Sequence, residues 1–258
     1  MAFNRDPFPK RVVQQAFGAL GYKLVQLKAY ERRTQAETQR DTAFNKLFCI
    51  GFNKTATTTL ELVLRNSGLR MPKQLDQEAY LAPVIEAKGY ETLRDFAQDY
   101  DALQDLPFSQ NNTYVACDAL FPESKFILTV RDPQVWVESY TRYYKREFGL
   151  EEESTFSEAS FLGKTQYLQL NYVHSLLRRM LVEEQMGQPV VRWDLAFDRD
   201  FLISVYQRRN AEIRSYFAQR QGDFLELDPS LEADTGRLLA FLDIKDVAPG
   251  PYPRTNTS

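Results

Sequence analysis

The stretch Lys46–Leu64, KLFCIGFNKTATTTLELVL, joins an apolar run to a helical pattern through a short polar loop. The run Leu47-Phe48-Cys49-Ile50, bounded by Gly51, predicts an interior strand of a parallel sheet. Apolar residues then recur at helical spacing, at Leu60, Val63 and Leu64. The loop between them carries one lysine and four threonines. Backbone N–H groups, the positive end of the helix dipole and an ammonium would converge there, which predicts a phosphate or sulfate site.

The loop differs from the Walker P-loop, whose lysine follows a second glycine and precedes a magnesium-binding Ser or Thr. Here Lys54 comes early and no Gly-Lys pair follows it. A P-loop kinase or NTPase, which would depend on magnesium and ATP, is therefore an alternative that the missing pair argues against. A threonine-rich helix N-terminus beside a solvated lysine is a second alternative, without any ligand.

Composition indicates an ordinary globular protein. The 258 residues are 43% hydrophobic and 26% charged, and the formal net charge of −3 argues against a general nucleic-acid binder. The N-terminus lacks the apolar core of a signal peptide, and no apolar run is long enough for a transmembrane span. Cys49 and Cys117 lie in apolar runs and are interpreted as reduced core residues. These features together predict a cytoplasmic protein.

Residues 1–45 are interpreted as an N-terminal helical extension of a single domain that spans residues 46–258. Residues 11–30 have apolar positions at roughly helical spacing, and residues 1–40 carry eight Lys or Arg against three Asp or Glu. Such a basic helix is suited to peripheral contact with a membrane or a partner, or to packing on its own domain.

Two further strands are predicted after a polar, mostly helical region at residues 69–112. Thr113–Cys117 would end at Asp118, and Lys125–Val130 would end at Arg131, followed by a helix that Pro133 opens. Because open α/β sheets bind ligands at the carboxyl ends of their strands, Lys54, Asp118 and Arg131 are expected to converge.

Two motifs resemble those of sulfotransferases that use 3′-phosphoadenosine 5′-phosphosulfate (PAPS). Lys54-Thr-Ala-Thr-Thr58 resembles the family's phosphosulfate loop Lys-[Thr/Ser]-Gly-Thr-Thr, with Ala56 replacing the usual glycine. Phe121–Ser139, FPESKFILTVRDPQVWVES, resembles the segment whose arginine and serine bind the 3′-phosphate of PAPS. The likeness extends over about residues 46–256, with Arg209 standing where the family has a histidine.

The resemblance implies a P-loop-like α/β fold, a three-layer sandwich in which helices flank a central parallel sheet. It implies sulfuryl transfer from PAPS to a hydroxyl or amine of a small molecule or glycan, without a metal. The expected PAPS-binding residues are Asn53, Lys54, Thr55, Ala56, Thr57, Thr58, Thr59, Arg131 and Ser139. Lys54 is expected to stabilise the charge that builds on the departing bisphosphate.

The general base is sought at a strand end, where related carbohydrate sulfotransferases place a carboxylate. Asp118 is the candidate, and a cap on the following turn is its alternative role. The one histidine, His174, lies within a predicted helix from about Phe161 to Gln185 and is interpreted as a packing or surface residue. A relative that binds PAPS without transferring the sulfuryl group is a further alternative. The acceptor and the oligomeric state stay open.

Overall fold

A computed structural model of the protein describes residues 41–74, 76–77, 89–163 and 171–253. The predicted N-terminal helix lies outside these residues, so the extension over residues 1–45 stays a prediction. Its last residues are described: Phe44 is buried, and the Asn45 N–H donates to the Glu123 carbonyl. No helix within the described residues is long and apolar enough to cross a membrane.

Strands and helices alternate along most of the chain. The strands are β1 (Leu47–Cys49), β2 (Ala102–Gln104), β3 (Lys125–Thr129), β4 (Val182–Gln185), β5 (Gln188–Val191) and β6 (Phe224–Leu227). The helices are α1 (Thr57–Asn66), α2 (Thr92–Ala97), α3 (Thr113–Leu120), α4 (Pro133–Phe148), α5 (Tyr172–Met180), α6 (Arg199–Tyr216) and α7 (Gly236–Phe241). Short 3-10 helices span Glu158–Ser160 and Trp193–Leu195.

The central sheet has four parallel strands in the order β2-β1-β3-β6. Cys49 of β1 pairs with Gln104 of β2 on one side and with Ile127 of β3 on the other. The chain thus moves from β1 first to one neighbour and later to the opposite one. This reversal makes the carboxyl end of β1 the point where an open α/β sheet binds its ligand.

Alternate residues of β1 face two different apolar layers, as a strand buried on both faces requires. Leu47 and Cys49 pack with apolar residues of α1 and α7, while Phe48 and Ile50 pack with those of α2, α3 and α6. The predicted three-layer α/β fold is therefore confirmed. A third apolar cluster is built largely from aromatic residues of α4 and α6: Trp136, Tyr140, Tyr144, Phe148 and Tyr206.

The prediction of a strand at Thr113–Cys117 is wrong, because these residues begin helix α3. The buried residues of that helix, Thr113, Tyr114 and Cys117, share one helical face. The strand that follows β1 in the chain is instead β2, in the region predicted to be mostly helical. The polar strand end beside β1 is therefore at Asp105 and not at Asp118.

The long helix predicted from Phe161 to Gln185 is also wrong at both ends, because residues 161–163 form a turn and helix α5 begins at Tyr172. Helix α5 ends at Met180, and β4 then pairs antiparallel with β5. Met186 and Gly187 have φ of 52° and 75°, as the two-residue turn of a tight hairpin requires. Strand β5 thus belongs to a hairpin that is separate from the central sheet.

Candidate active site

The loop after β1 starts with a backbone contact that leaves no room for a side chain. A Cβ atom on Gly51 would lie within 3.0 Å of the Oγ1, O and N atoms of Thr129, the last residue of β3. The Thr55 hydroxyl then bonds to the Thr129 hydroxyl at 2.7 Å and donates to the Phe52 carbonyl. The phosphate loop, residues 51–59, is thus anchored to the end of the neighbouring strand.

Two residues of the phosphate loop adopt the left-handed backbone conformation. Lys54 has φ 72° and Ala56 has φ 65°, and Ala56 directly precedes helix α1. A Cβ in this region costs about 1 kcal/mol or more, so the loop carries strain at the position where related loops have glycine. The first helical hydrogen bond is donated by Leu60 to Ala56, and the N–H groups before it lack helical acceptors. These amides give the helix N-terminus its capacity to bind an anion.

Asn53 is fixed on three sides. Its backbone carbonyl accepts a hydrogen bond from the Trp136 indole at 2.9 Å, and its side-chain amide donates to the Asp105 carboxylate. The Ser109 hydroxyl donates to the Asn53 carbonyl oxygen Oδ1 at 3.3 Å. Asn53 therefore links the phosphate loop to helix α4 and to the loop that follows β2.

The Lys54 ammonium lies over an aromatic ring. Its Nζ atom is 3.7 Å from the centre of the Tyr143 ring, and it forms no ion pair with a described residue. Burial lowers the pKa of Lys54, and the charges of Arg146 and Arg131 lower it further, while Asp105 and Glu147 act in the opposite direction. Lys54 and Arg131 thus lie within electrostatic reach of each other, as their places at neighbouring strand ends predicted.

Arg131 follows β3, and its backbone is held by one hydroxyl. The Tyr206 hydroxyl accepts from the Arg131 N–H at 2.9 Å and donates to the Arg131 carbonyl at 3.1 Å. The next residue, Asp132, caps helix α4 by accepting from the N–H groups of Gln134 and Val135. The Arg131 guanidinium is half-buried and has no ion pair within the described part of the chain. Ser139 is half-buried on α4.

The remaining threonines of the loop lie on the first turn of α1. Thr57 and Thr59 are buried, and Thr58 is half-buried. The Thr59 hydroxyl donates to the Pro253 carbonyl at 3.2 Å. Pro253 therefore packs against the first turn of α1, the helix whose N-terminus forms part of the predicted anion site.

Asp118 does not lie on a strand end, and its carboxylate is engaged elsewhere. It forms a two-pronged ion pair with Arg220, at 3.0 and 2.9 Å, and accepts from the Tyr216 hydroxyl at 2.6 Å. Burial, followed by this hydrogen bond, raises the pKa of Tyr216 to about 12. The expected convergence of Asp118 with Lys54 and Arg131 rested on a strand that is absent, and the structure places its carboxylate between α3 and α6.

Asp105 occupies the position that Asp118 was expected to fill. It follows β2, has φ 61°, and accepts hydrogen bonds from the Asn53 side chain and from the Leu106 N–H. Its charge reaches Lys54, since it acts to raise that lysine's pKa. Sequence reasoning missed it because Ala102-Leu103-Gln104 is too short a run to be read as a strand. The signal available was the Asp-Leu-Pro turn after an apolar pair.

Arg209 is a buried residue that contacts the backbone just before the phosphate loop and the backbone of the loop after β2. Its guanidinium donates to the carbonyls of Ile50 at 2.9 Å and Asn111 at 3.2 Å, and lies 4.8 Å from the centre of the Phe52 ring. Burial lowers its pKa to about 10, so it stays charged at neutral pH. Arg209 thus ties the end of β1 to the loop after β2, in the position where the resemblance places a histidine.

His174 contacts a carboxylate and an aromatic ring that do not belong to the phosphate loop. Its Nε2 atom lies 2.9 Å from a Glu158 carboxylate oxygen, and its ring stacks on Trp193 with centroids 5.0 Å apart. The interpretation of His174 as a packing residue fits this environment. Among the described residues, no group of three His, Cys, Asp or Glu side chains is arranged to hold a metal ion.

Comparison with known proteins identifies the family. A family model described as "Sulfotransferase domain" matches residues 46–258. No curated protein matches the chain. The matched region contains every strand of the parallel sheet, the phosphate loop and Arg131. With most of its length covered by this match, the chain belongs to the sulfotransferase family.

Proposed function

We propose that the protein transfers a sulfuryl group from PAPS to a hydroxyl or amine of a small-molecule or glycan acceptor and releases 3′-phosphoadenosine 5′-phosphate (PAP). The observation that carries the proposal is the pair of cations at the switch point of the sheet. Lys54 and Arg131 follow adjacent strands, and neither forms an ion pair within the described residues. A ligand with anionic groups at both ends of an adenosine suits this arrangement.

The phosphate loop would hold the 5′-phosphosulfate and Arg131 with Ser139 the 3′-phosphate. The amides at the start of α1 and the Lys54 ammonium supply positive potential where the bisphosphate leaves. In the reaction, the acceptor oxygen or nitrogen forms a bond to sulfur while the bond from sulfur to the bridging oxygen breaks. The acceptor's proton goes to a base, and the electron pair of the broken bond stays on PAP.

We propose Asp105 as that base in preference to Asp118. Its carboxylate lies at the strand end beside the phosphate loop, whereas that of Asp118 is held by Arg220 and Tyr216. The Asn53 amide orients the Asp105 carboxylate and ties it to the loop that carries Lys54. A base placed there can take a proton from an acceptor that attacks sulfur beside Lys54.

The donor site is tested by thermal unfolding of the purified protein with PAP, compared with ATP and magnesium. PAP at about 100 times its dissociation constant should stabilise the protein by roughly 2.7 kcal/mol, and Arg131→Ala should remove most of that shift. Stabilisation by ATP with magnesium alone would refute the proposal in favour of a P-loop kinase. PAP binding without transfer of radiolabelled sulfate to any of a broad acceptor panel would identify a non-catalytic relative.

The base is tested by comparing Asp105→Asn with Asp118→Asn. With any acceptor that the panel yields, Asp105→Asn should lower kcat by about 100-fold or more while PAP still binds. Asp118→Asn is the matched control, since it removes a carboxylate of the same kind outside the site. A large loss of kcat in Asp118→Asn with normal turnover in Asp105→Asn would restore Asp118 as the base.

A further inference from the structure

Helix α4 presents one stripe of side chains to the phosphate loop. Tyr143 comes seven residues after Trp136, and Arg146 comes three residues after Tyr143, which places all three on a common face together with Ser139. Trp136 and Tyr143 contact successive residues of the phosphate loop. The Trp136 indole donates to the Asn53 carbonyl, and the Tyr143 ring lies under the Lys54 ammonium. The helix that follows the Arg131 loop therefore also sets the position of the loop lysine.

The contact between Lys54 and Tyr143 is close enough to hold the side chain in place. An ammonium 3.7 Å from a ring centre is attracted by the negative face of the ring, and more strongly where water is excluded. Lys54 is half-buried, and its backbone is fixed in the left-handed conformation. The long lysine side chain would otherwise sample many rotamers, so the ring restricts the ammonium to one region of the site.

It matters for an anion site that the partner of Lys54 is an aromatic ring and not a carboxylate. A carboxylate would neutralise the lysine and would compete with the phosphosulfate for it. An aromatic ring attracts the ammonium without carrying a net charge, so the positive potential of Lys54 remains available to a ligand. The Arg146 guanidinium approaches the same ring to 5.9 Å from its centre, which adds a second positive charge nearby.

We propose that Tyr143 is a positioning residue that holds Lys54 at the phosphate loop through its ring face and leaves the ammonium's charge free for the donor's 5′ end. The identity of that donor rests on the proposed function. The position of the lysine over the ring does not, which allows the two to be tested separately. Because the role is assigned to the ring face, Tyr143→Phe should preserve it.

The position is measured by NMR on protein labelled at the lysine ε-carbons, with the Lys54 signal assigned by Lys54→Arg. Protons above a ring face resonate upfield, so the Lys54 ε-methylene should be shifted upfield in the wild type and in Tyr143→Phe. In Tyr143→Leu it should return to the position of the other lysines. An unshifted Lys54 signal in the wild type, or one that Tyr143→Leu leaves in place, overturns the proposal whether or not PAP binds.

The consequence for the donor site is measured by PAP titration of the same variants. Tyr143→Phe should bind PAP within about twofold of the wild type, and Tyr143→Leu about tenfold more weakly. Equal affinities in all three overturn the positioning role. Failure of the wild type to bind PAP would count against the proposed function alone, because the methylene shift is read without ligand.

Incorporation of 3,4,5-trifluorophenylalanine at position 143 gives a test that does not depend on the leucine variant folding. This side chain keeps nearly the shape of phenylalanine but has a much weaker negative face. If the ring face holds Lys54, the fluorinated protein should bind PAP more weakly than Tyr143→Phe. If Tyr143 only fills space, the two proteins should bind PAP equally well.

Discussion

The proposed function requires a charged Lys54 to attract the donor, so the lowered pKa of Lys54 predicts an alkaline limit on binding. Burial and the neighbouring Arg146 lower the pKa from the ordinary 10.5, and the ammonium is fully charged only below the lowered value. PAP carries its full negative charge throughout the alkaline range. We therefore expect PAP affinity to fall as pH rises, beginning below pH 10.5, in isothermal titrations across that range.

Two variants separate Lys54 from other groups that titrate there. Lys54→Arg stays charged and should show a flat profile over the same range. Arg146→Met removes a repulsive neighbour, so the pKa of Lys54 should rise and the fall in affinity should move to higher pH. A profile that is identical in the wild type and Lys54→Arg would exclude Lys54 as the titrating group.

Ala56 is the residue where the chain departs from the family's usual loop, and the structure shows the cost. Its φ of 65° lies in the region that favours glycine. Ala56→Gly should therefore raise the free energy of unfolding by about 1 kcal/mol in urea titrations. Ala119→Gly, at an exposed position within α3, is the matched control and should lower it by about the same amount. A destabilised Ala56→Gly would show that the methyl group contributes more than its strain.

At the scale of elements, the site depends on how closely the ends of β1 and β3 approach. Gly51→Ala would place a methyl group against both the backbone and the hydroxyl of Thr129. We expect this change to cost about 1–3 kcal/mol of stability and to weaken PAP binding, because the loop anchored there must shift.

Gly222→Ala serves as the control for the change at Gly51. Nothing lies within 4 Å of a Cβ added at Gly222, so its stability should stay within about 0.5 kcal/mol of the wild type. Both variants are compared by thermal unfolding with and without PAP. Equal stabilities for the two would mean that the strand ends separate without cost.

The elements also show where sequence reasoning succeeds and where it fails. β1 and β3 are apolar runs that end at polar motifs, so periodicity located both, together with Lys54 and Arg131. In Thr113–Cys117 the β-branched and aromatic residues suggested a strand, but tertiary packing favours a helix that buries Tyr114 and Cys117. β2 has only three residues and ends in glutamine, so it shows no apolar pattern from which a strand could be predicted. The expectation that Asp118 lies at a strand end, where Asp105 is found instead, failed because of these two elements.

At the scale of the whole molecule, the contacts of Phe44 and Asn45 predict where the stable domain begins. Phe44 is buried with residues of α1 and α7, and Asn45 bonds to the loop before β3. A protein that begins at residue 41 should therefore unfold cooperatively and bind PAP as the full chain does. One that begins at residue 46 loses both contacts and should be less stable by about 2 kcal/mol or more. Circular dichroism melting curves of the three proteins measure this, and equal melting of the two truncated proteins would contradict it.

The contact between Thr59 and Pro253 has a consequence for how the enzyme is made. Pro253 lies 194 residues after Thr59 in the chain, so the ribosome synthesises the phosphate loop long before the segment that packs on its helix. β6, which completes the parallel sheet beside β3, also comes late, after α6. Until β6 and residue 253 have been synthesised, a growing chain therefore lacks contacts that complete the sheet and support α1. A copy cut off before residue 253 therefore lacks a contact on the first turn of α1, the helix that follows the phosphate loop.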